Sequence, residues 1–465
     1  MSLHCLPSTA RFRPHRIHPD TLTAESEGYA VSLYKRGARA YEKTRYPQKH
    51  GIYHEIHTPS ATLQFNLNNE IVIARGLDGD WPSSREWLKR SLGNDWVYYS
   101  TGGYGGAHEF IGSNVLPAPI RFRIPTPYNE VYRATGEYYL PNLPYPSNAI
   151  LGGNPFENPA VGNLLATWHE TVKEAAAHLQ HAAEPFGTFL KKAICNSPER
   201  LKNRANRFHG IIGGRMSVLP PDTRHVDYNV IPLRVTEGCL YHCRFCRVKN
   251  GKTLQHRSMA SIEDQIRALK TWFGPDLINF NALFLGGNDG LAADKGVILS
   301  AVEKAAEELG LTRSFMDGFN VFLFGSVGSF LAADLALFDA LQTMNCRTYI
   351  NLGLESADQE TLNTIGKPIT ARQVKKAFAK MLEINRCFCA TEVTANFLMD
   401  ESLPESHYRA FVDLVRGNLS EPVGKGSIYF SPLCLRPPSH HSLYFFNQLQ
   451  AMSRLPVYLY LIQRL

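Results

Sequence analysis

The sequence predicts an α/β fold in its second half. A partial (β/α)6 barrel is expected over residues 226–440, after an irregular α+β N-terminal domain over 1–225 and before a C-terminal tail over 441–465. The 465 residues are too many for one ordinary domain of about 150 residues. Hydrophobic residues make up 44% and charged residues 20%, which excludes a disordered chain and a coiled coil. Beyond residue 226, short apolar runs alternate with segments of helical period, as in a parallel sheet with helical crossovers.

The N-terminal half shows little regular periodicity, but one hairpin is readable. Leu63 and Phe65 alternate with polar residues before an Asn-Asn turn, and the chain returns through Val72 and Ala74. A two-residue turn pairs Phe65 with Val72 and Leu63 with Ala74. The glycine-rich run 102–106 lacks the Lys-Ser/Thr ending of a phosphate-binding loop and is interpreted as a turn.

One helix is also predicted in this half, from Pro159 to a point before Pro185. Its apolar residues recur at helical spacing and are Val161, Leu164, Leu165, Trp168, Val172, Ala176 and Leu179. His50, His54 and His57 have a spacing that would align metal ligands on a helix. The glycine and proline that flank them do not favour a helix, so a metal site is not the preferred interpretation.

Six strands and five helices are predicted to alternate after residue 226. The strands are expected at 231–235, 282–285, 320–324, 348–352, 392–398 and 427–431. The helices are expected at 262–272, 295–309, 331–344, 371–384 and 405–416, with Ser261 capping the first. Six units are too few for a closed eight-fold barrel, so an open, partial barrel is expected.

Three of the nine cysteines fall within eight residues, at Cys239, Cys243 and Cys246, on the loop after the first predicted strand. A structural zinc needs four protein ligands, and a ferredoxin-type cluster also requires a fourth cysteine. Three cysteines on one short loop can instead hold a [4Fe–4S] cluster with one iron free of protein ligands. A small molecule can bind that iron and receive an electron. Cys387 and Cys389 could recruit a second metal, but are interpreted as free thiols.

This loop, with Phe245 just before the last cysteine, resembles the motif of the radical S-adenosylmethionine (radical SAM) superfamily. The resemblance covers roughly residues 228–435 and implies that Cys239, Cys243 and Cys246 bind a [4Fe–4S] cluster. It implies SAM as the second cofactor, cleaved by one electron to methionine and a 5′-deoxyadenosyl radical that abstracts hydrogen from a substrate. An electron donor such as flavodoxin or ferredoxin is implied as a partner.

A glycine turn after the second predicted strand is similar to the same family. Gly286, Gly287 and Asn288 resemble the Gly-Gly-Glu turn that meets the amino group of SAM, with asparagine at the glutamate position. Glycines suit such a turn because backbone carbonyls there must approach a ligand closely. The substitution weakens a side-chain contact at Asn288 but leaves a backbone contact possible.

Glu355 and Ser356 follow the fourth predicted strand in a Gly-x-Glu-Ser pattern. This pattern resembles the branch shared by methylthiotransferases, the elongator catalytic subunit and oxygen-independent coproporphyrinogen oxidases. It implies hydrogen bonds to the ribose or methionyl part of SAM; the alternative is a cap of the next helix. Asn396 on the fifth strand is a further candidate, for the adenine or ribose.

Two alternatives to this function remain open. The net charge is +7, and the first fifty residues carry nine Lys/Arg against four Asp/Glu. Such a basic arm could contact nucleic acid, so a radical SAM enzyme that modifies tRNA or another nucleic acid is one alternative. Because the basic residues are scattered, a solvated tail is the preferred interpretation of the charge. The other alternative is an iron–sulfur electron-transfer or metal-binding module that does not turn SAM over.

The sequence also predicts a location and a role for the N-terminal half. No apolar stretch approaches the roughly 20 residues of a membrane span, and the N-terminus has no signal-peptide core, so a cytoplasmic protein with no membrane contact is expected. A radical must be shielded from solvent. Residues 1–225 are therefore expected to select the substrate and to cover the mouth of the partial barrel.

Overall fold

The computed structural model describes residues 20–40, 49–82, 84, 86–100, 137–139, 154–216, 218–225, 230–246, 252–417, 425–432 and 440–459. The strands form two large sheets and one short pair. Within these ranges, no helix is both long enough and apolar enough to cross a membrane. The predicted basic arm lies partly, and the glycine-rich run 102–106 wholly, outside the described residues.

Eight strands of the N-terminal half form one antiparallel sheet in sequential order. They are β1 (Leu22–Ser26), β2 (Tyr29–Arg36), β3 (Ile52–His57), β4 (Ala61–Phe65), β5 (Ile71–Gly76), β6 (Glu86–Arg90), β7 (Trp96–Ser100) and β8 (Glu137–Tyr139). Three helices follow: α1 (Pro159–His178), α2 (Phe186–Cys195) and α3 (Pro198–Ile211). The predicted helix is confirmed as α1, which packs Trp168 and Val172 against the sheet. The region is an α+β unit, more regular than its sequence suggested.

The predicted hairpin is confirmed as β4–β5, with one correction to its pairing. Leu63 pairs with Ala74 as predicted. Phe65 pairs with Ile71 and not with Val72, because the register shifts just before Phe65. A two-residue turn would have kept the register, so the connection is longer than the sequence suggested.

The three histidines considered as metal ligands do not lie on a helix. His54 is on β3 with a buried side chain, and its Nδ1 accepts the Tyr34 backbone N–H at 3.1 Å. Burial lowers the pKa of His54 to about 4. Across the described part of the chain, no three His, Cys, Asp or Glu side chains are grouped to hold a single metal ion.

Seven parallel strands form the second sheet, in the order β17-β16-β15-β14-β13-β12-β9. The strands of the second half are β9 (Val230–Arg234), the short antiparallel pair β10 (Thr236–Glu237) and β11 (Gln255–His256), β12 (Ala282–Gly286), β13 (Asn320–Gly325), β14 (Arg347–Glu355), β15 (Thr391–Met399), β16 (Ile428–Pro432) and β17 (Val457–Leu459). The six predicted strands are confirmed. The segment 441–465, predicted as a tail, adds a seventh parallel strand to the sheet.

Eight helices lie among these strands in the described residues. They are α4 (Met259–Phe273), α5 (Lys295–Glu308), α6 (Val327–Ala332), α7 (Leu335–Thr343), α8 (Gln359–Thr364), α9 (Ala371–Cys387), α10 (Glu405–Gly417) and α11 (His440–Met452). Two predictions need correction. The N-cap of α4 is Ser258, whose side chain accepts the Ser261 N–H, and not Ser261 itself. The helix predicted over 331–344 is two helices, because Asp334 caps a new one.

The N-terminal sheet meets the parallel sheet at the edge where the parallel strands begin. The backbone N–H and C=O of Ile52 bond to the Asn279 side chain at 2.7 and 2.8 Å, and the Leu67 N–H donates to Asp276 at 3.2 Å. Asp276 and Asn279 directly precede β12. Strand β3 and the turn after β4 therefore meet the parallel sheet at the edge opposite the loop after β9.

A segment of the N-terminal half crosses the parallel sheet: residues 213–216 and 218–225, here called the strap. A Cβ on Gly286 would lie 2.4 Å from Met216 Cε, so the strap packs directly on the end of β12. Further along, Asp222 accepts hydrogen bonds from Thr394 and Tyr429 of β15 and β16. The sheet face that the strap covers, opposite the helices, is called the concave face.

Candidate active site

The sequence-predicted site residues follow the ends of parallel strands and therefore share one edge of the sheet. The cysteine loop follows β9 and β10, the glycine turn follows β12, and Glu355 ends β14. Because parallel strands all point the same way, their carboxyl ends meet at one edge, where ligands bind in β/α folds. The fold thus brings these three segments into one region.

The cysteine loop is closed at its base by the β10–β11 pair. The Cys239 N–H donates to the Lys252 carbonyl at 3.1 Å, and Cys239 forms an isolated bridge with Thr253. Gly238 has φ +81°, and a Cβ there would lie 2.1 Å from the Thr253 carbonyl oxygen. Only glycine fits this position, so local sterics fix where the loop begins.

Within the loop, the three thiols have different surroundings. Cys239 Sγ accepts the Tyr241 N–H at 3.4 Å, and the Cys246 N–H donates to the Cys243 carbonyl at 3.2 Å. Cys243 is buried, whereas Cys239 and Cys246 are partly exposed. Burial raises the pKa of Cys243 to about 11, an effect that the positive charge of Lys367 opposes.

The donor set of this loop, three free cysteines, suits an iron–sulfur cluster. In a [4Fe–4S] cluster each cysteine binds a different iron, so the three thiols need only surround a common space. A backbone N–H already directed at Cys239 Sγ is the kind of hydrogen bond that stabilises a cluster thiolate. Phe245, partly buried, packs against the main core.

Two contacts fasten the cysteine loop to neighbouring turns. The Tyr241 hydroxyl accepts the Gly328 N–H at 2.7 Å, at the start of α6. The Arg244 N–H donates to the Ile365 carbonyl at 3.0 Å. Gly366 lies under the Arg244 side chain, where a Cβ would meet Arg244 Nε at 2.7 Å. The loop is therefore held from two sides, by residues that sequence reasoning did not single out.

The glycine turn is packed so tightly that both glycines are needed. Gly287 has φ +131°, and a Cβ there would lie 2.3 Å from Thr236 Oγ1 and 2.6 Å from the Thr236 carbonyl oxygen. Gly286 meets the strap, as described above. Asn288 is exposed. Since Thr236 lies three residues before Cys239, the turn is in direct contact with the base of the cysteine loop.

The acidic residue of this turn is Asp289, which sequence reasoning missed. Its Oδ1 accepts the Ser326 N–H at 3.2 Å and the Ser329 hydroxyl at 2.8 Å. Its Oδ2 is buried without a hydrogen-bond partner among the described residues. Burial raises the pKa of Asp289, and the two serines oppose that rise. An acid directly after Gly-Gly-Asn was the available signal.

Glu355 has an unusual backbone and a buried ion-pair partner. It is a non-glycine residue at φ +67°, next to a register shift between Gly353 and Glu355 in the β14–β15 ladder. Lys367 Nζ lies 3.3 Å from Glu355 Oε1 and 5.5 Å from the centroid of the Tyr241 ring. Burial raises the pKa of Glu355, and Lys367 opposes that rise. The pair thus lies against the cysteine loop.

Ser356 has a different environment from its neighbour. It is fully buried, its hydroxyl lies 2.7 Å from His407 Nδ1, and it accepts the Asp358 N–H at 3.0 Å. His407 Nε2 lies 2.9 Å from the Leu398 carbonyl, so Nε2 carries the proton and Nδ1 accepts from Ser356. Asp358, and not Glu355 or Ser356, caps α8. The hydrogen bonds of Ser356 therefore connect the end of β14 to α8 and α10, as expected of a structural residue.

Asn396 lies on the concave face beside Gly353, its register partner on β14. Its amide pairs with that of Asn351 in both directions, at 3.1 and 2.7 Å. Cys387 and Cys389 lie at the opposite edge, directly before β15, and both are exposed. They take no part in this site.

Comparison with known proteins gives a family for the second half of the chain. The sequence profile of the Radical SAM superfamily matches residues 233–405. No curated protein sequence matches the chain. The match begins within β9 and ends at the start of α10, so it contains the cysteine loop, the glycine turn and the Glu355–Lys367 pair.

Solved structures give weaker likenesses. TsrM from Kitasatospora setae, a radical S-adenosylmethionine methyltransferase with tryptophan substrate and a SAM analogue bound, is 15% identical with a TM-score of 0.32. The matched part is 43% of this chain and 35% of the TsrM chain, so the chain spans about a third of that protein. Methylornithine synthase (PylB) is 13% identical with a TM-score of 0.32, over 67% of this chain and 77% of that one.

A third solved structure is the FeFe-hydrogenase maturase HydG from Carboxydothermus hydrogenoformans. It is 12% identical with a TM-score of 0.29, over 63% of this chain and 64% of that one. Nothing about the reaction or the branch of the family follows from likenesses at this level. Residues 233–405 therefore match the Radical SAM superfamily, whose enzymes use a [4Fe–4S] cluster and SAM.

Proposed function

We propose that this enzyme binds a [4Fe–4S] cluster through Cys239, Cys243 and Cys246, cleaves SAM there, and uses the resulting radical to abstract hydrogen from a substrate that is not yet identified. When bound, the cluster supplies the electron that splits SAM into methionine and a 5′-deoxyadenosyl radical. The observation that supports this proposal is the meeting of three cysteines, a tight glycine turn and a buried Glu–Lys pair at one edge of the sheet.

Each of these segments has a separate task in the proposal. The glycine turn at Gly286 and Gly287 packs against Thr236, at the base of the cysteine loop, and in the proposal it offers a backbone carbonyl to the amino group of SAM. Glu355 and Lys367 place a carboxylate and an ammonium in a buried setting, where charge–charge interactions are strong. Such a pair suits the methionyl end of SAM, which is itself a zwitterion.

Reconstitution tests the cluster assignment directly. Anaerobically reconstituted protein is expected to bind about four irons per chain. The triple variant Cys239→Ala/Cys243→Ala/Cys246→Ala should lose the iron and its visible absorption, and the pair Cys387→Ala/Cys389→Ala serves as the matched control. A full cluster in the triple variant would exclude the assignment.

Turnover of SAM separates an enzyme from an electron-transfer module. With a chemical reductant, the reconstituted protein should convert SAM to 5′-deoxyadenosine and methionine, slowly while no substrate is present. A protein that holds four irons yet leaves SAM intact with and without cell extract would favour the electron-transfer module. Mass spectrometry of an extract treated with enzyme and SAM then identifies the molecule that changes.

A further inference from the structure

A chain of buried polar side chains crosses the concave face of the parallel sheet and ends at the strap. Asn351 of β14 and Thr394 of β15 are register partners, and so are Asn396 of β15 and Tyr429 of β16. At the far end lies Asp222, which precedes the part of the chain matched to the family. This row of hydrogen-bonded side chains is therefore contributed partly by the family domain and partly by a segment that precedes it in the sequence.

The contacts along this chain are short and continuous. Thr394 Oγ1 donates to Asp222 Oδ2 at 2.6 Å, and the Tyr429 hydroxyl donates to Asp222 Oδ1 at 2.8 Å. Asn351 Nδ2 donates to Thr394 Oγ1 at 2.9 Å and to Asn396 Oδ1 at 3.1 Å. Asn396 Nδ2 returns a hydrogen bond to Asn351 Oδ1 at 2.7 Å.

The chemistry of the donors and acceptors fixes the direction of every bond. Two side-chain amides that pair with each other can both turn by 180° and keep the same hydrogen bonds, so the Asn351–Asn396 pair alone has two equivalent states. Asp222 accepts with both of its carboxyl oxygens, one from Thr394 and one from Tyr429. Thr394 has a single hydroxyl proton and gives it to Asp222, so it must accept from Asn351. This selects one state of Asn351 and, through it, one state of Asn396.

Asn396 is the member of this chain that a ligand can reach. It is 8% exposed, whereas Asn351, Thr394, Asp222 and Tyr429 are at 0%. Its amide has an N–H and a carbonyl lone pair beyond those used with Asn351. Where these point depends on which of the two amide states is selected.

We propose that Asp222, acting through Thr394 and Asn351, is a positioning residue that fixes the orientation of the Asn396 amide toward the adenosyl part of the ligand. This inference rests on the proposed function, because it takes SAM to be the ligand at this edge. It adds a role for the strap: the N-terminal half contributes to cofactor recognition from within the barrel.

Two hydroxyl groups, those of Thr394 and Tyr429, donate to Asp222, and removing each one gives a matched pair of variants. Thr394→Val and Tyr429→Phe each remove one hydrogen bond to the same carboxylate, so both should lower the midpoint of thermal unfolding. Of the two hydroxyls, that of Thr394 accepts the hydrogen bond from Asn351, which in turn pairs with Asn396. A structural role predicts equal effects of the two variants on ligand affinity, whereas the positioning role predicts an effect of Thr394→Val alone.

Two binding measurements test the proposal: SAM binding to reconstituted protein, and 5′-deoxyadenosine binding to cluster-free protein, both by calorimetry. Thr394→Val should weaken both by about tenfold, with Thr394→Ser and Tyr429→Phe within about twofold of the unchanged protein. In an Asn396→Ala background, Thr394→Val should have no further effect. Thr394→Ala replaces the valine variant if the latter does not fold.

Equal losses of affinity in Thr394→Val and Tyr429→Phe, or no loss in either, would overturn the positioning role while leaving the proposed function intact. Failure of the unchanged protein to bind SAM with a full cluster would instead contradict the proposed function itself. The two failures are therefore distinguishable.

Discussion

Lys367 Nζ lies 3.3 Å from Glu355 Oε1, and both residues are buried against the cysteine loop. Glu355 reaches this position from a left-handed backbone conformation, which non-glycine residues adopt at an energetic cost of about 1–3 kcal/mol. Such strain persists where the surroundings fix it. Here the ion pair with Lys367 and the register shift in β14 hold the backbone of Glu355 in this conformation. We infer that the pair is a structural requirement of the site.

Lys367→Met should leave a buried carboxylate unpaired. The expected loss of stability is roughly 3 kcal/mol. The double variant Lys367→Met/Glu355→Gln removes both charges and should recover much of this stability, measured by thermal unfolding, but not the affinity for SAM. Lys380→Met is the control, because Lys380 donates to carbonyls at the end of α6 and should affect stability alone. Normal SAM binding by the double variant would contradict the assigned role.

Glu355 and Ser356 should separate in their effects, although they are neighbours in the sequence. Glu355→Gln is expected to weaken SAM binding by tenfold or so, since it removes a buried charge near the ligand. Ser356→Ala should leave affinity within about twofold and lower stability by roughly 1–3 kcal/mol, since it strands His407 Nδ1 and the Asp358 N–H. Calorimetry and thermal unfolding measure the two effects. Equal losses of affinity would assign both residues to the ligand.

Much of the fold and the cysteine site could be predicted because their signals are local. Cys239, Cys243 and Cys246 lie within eight residues, so their spacing is visible in one short window. The six strands are visible as apolar runs between segments of helical period. The N-terminal sheet was mostly missed, because short antiparallel strands are paired by contacts that no single window contains. The seventh strand, β17, is only three residues long and has too little pattern to predict.

The residues missed at the site share one property, which is a distant partner. Asp222 and Thr394 are 172 positions apart, and Tyr241 and Gly328 are 87 apart. A strand sequence shows that Thr394 and Asn396 share a face, but not that a carboxylate from the strap meets that face. The contact between Lys367 and Glu355 depends on the left-handed backbone conformation of Glu355, which the sequence does not indicate.

Gly287→Ala tests the packing between the glycine turn and the cysteine loop. The new Cβ would lie 2.3 Å from Thr236 Oγ1 at a φ that disfavours alanine, so Thr236 and the loop behind it must move. Lower stability and reduced SAM affinity are expected. Gly318→Ala is the control: it also has positive φ, at +80°, but no atom within 4 Å of the new Cβ. If the two variants behave alike in SAM binding, backbone strain and not close approach explains the loss.

The last prediction concerns pH and the junction between the two sheets. Burial raises the pKa of Asp276 to about 7, from an ordinary value of 3.8, and the nearby Glu70 carboxylate adds to this rise. Hydrogen bonds from the Asn279 side chain and the Leu67 N–H lower the pKa, as does the positive charge of Arg204. The folded state therefore holds this proton more tightly than the unfolded state. The stability that Asp276 contributes is fully present below its unfolded pKa and is lost as pH rises through about 7, by up to about 1.4 kcal/mol per pH unit.

Asp276→Asn removes this titration and keeps an oxygen that can accept the Leu67 N–H. The unfolding midpoint of the unchanged protein should therefore fall relative to that of Asp276→Asn between pH 5 and pH 7 and run parallel to it above pH 8. Taking the difference between the two proteins cancels every other group that titrates in this range. Asp264→Asn, the same substitution at an exposed carboxylate on α4, is the matched control for the change of residue type. Parallel curves for Asp276→Asn across the whole range would mean that Asp276 titrates normally and that the junction is more open to water than its packing indicates.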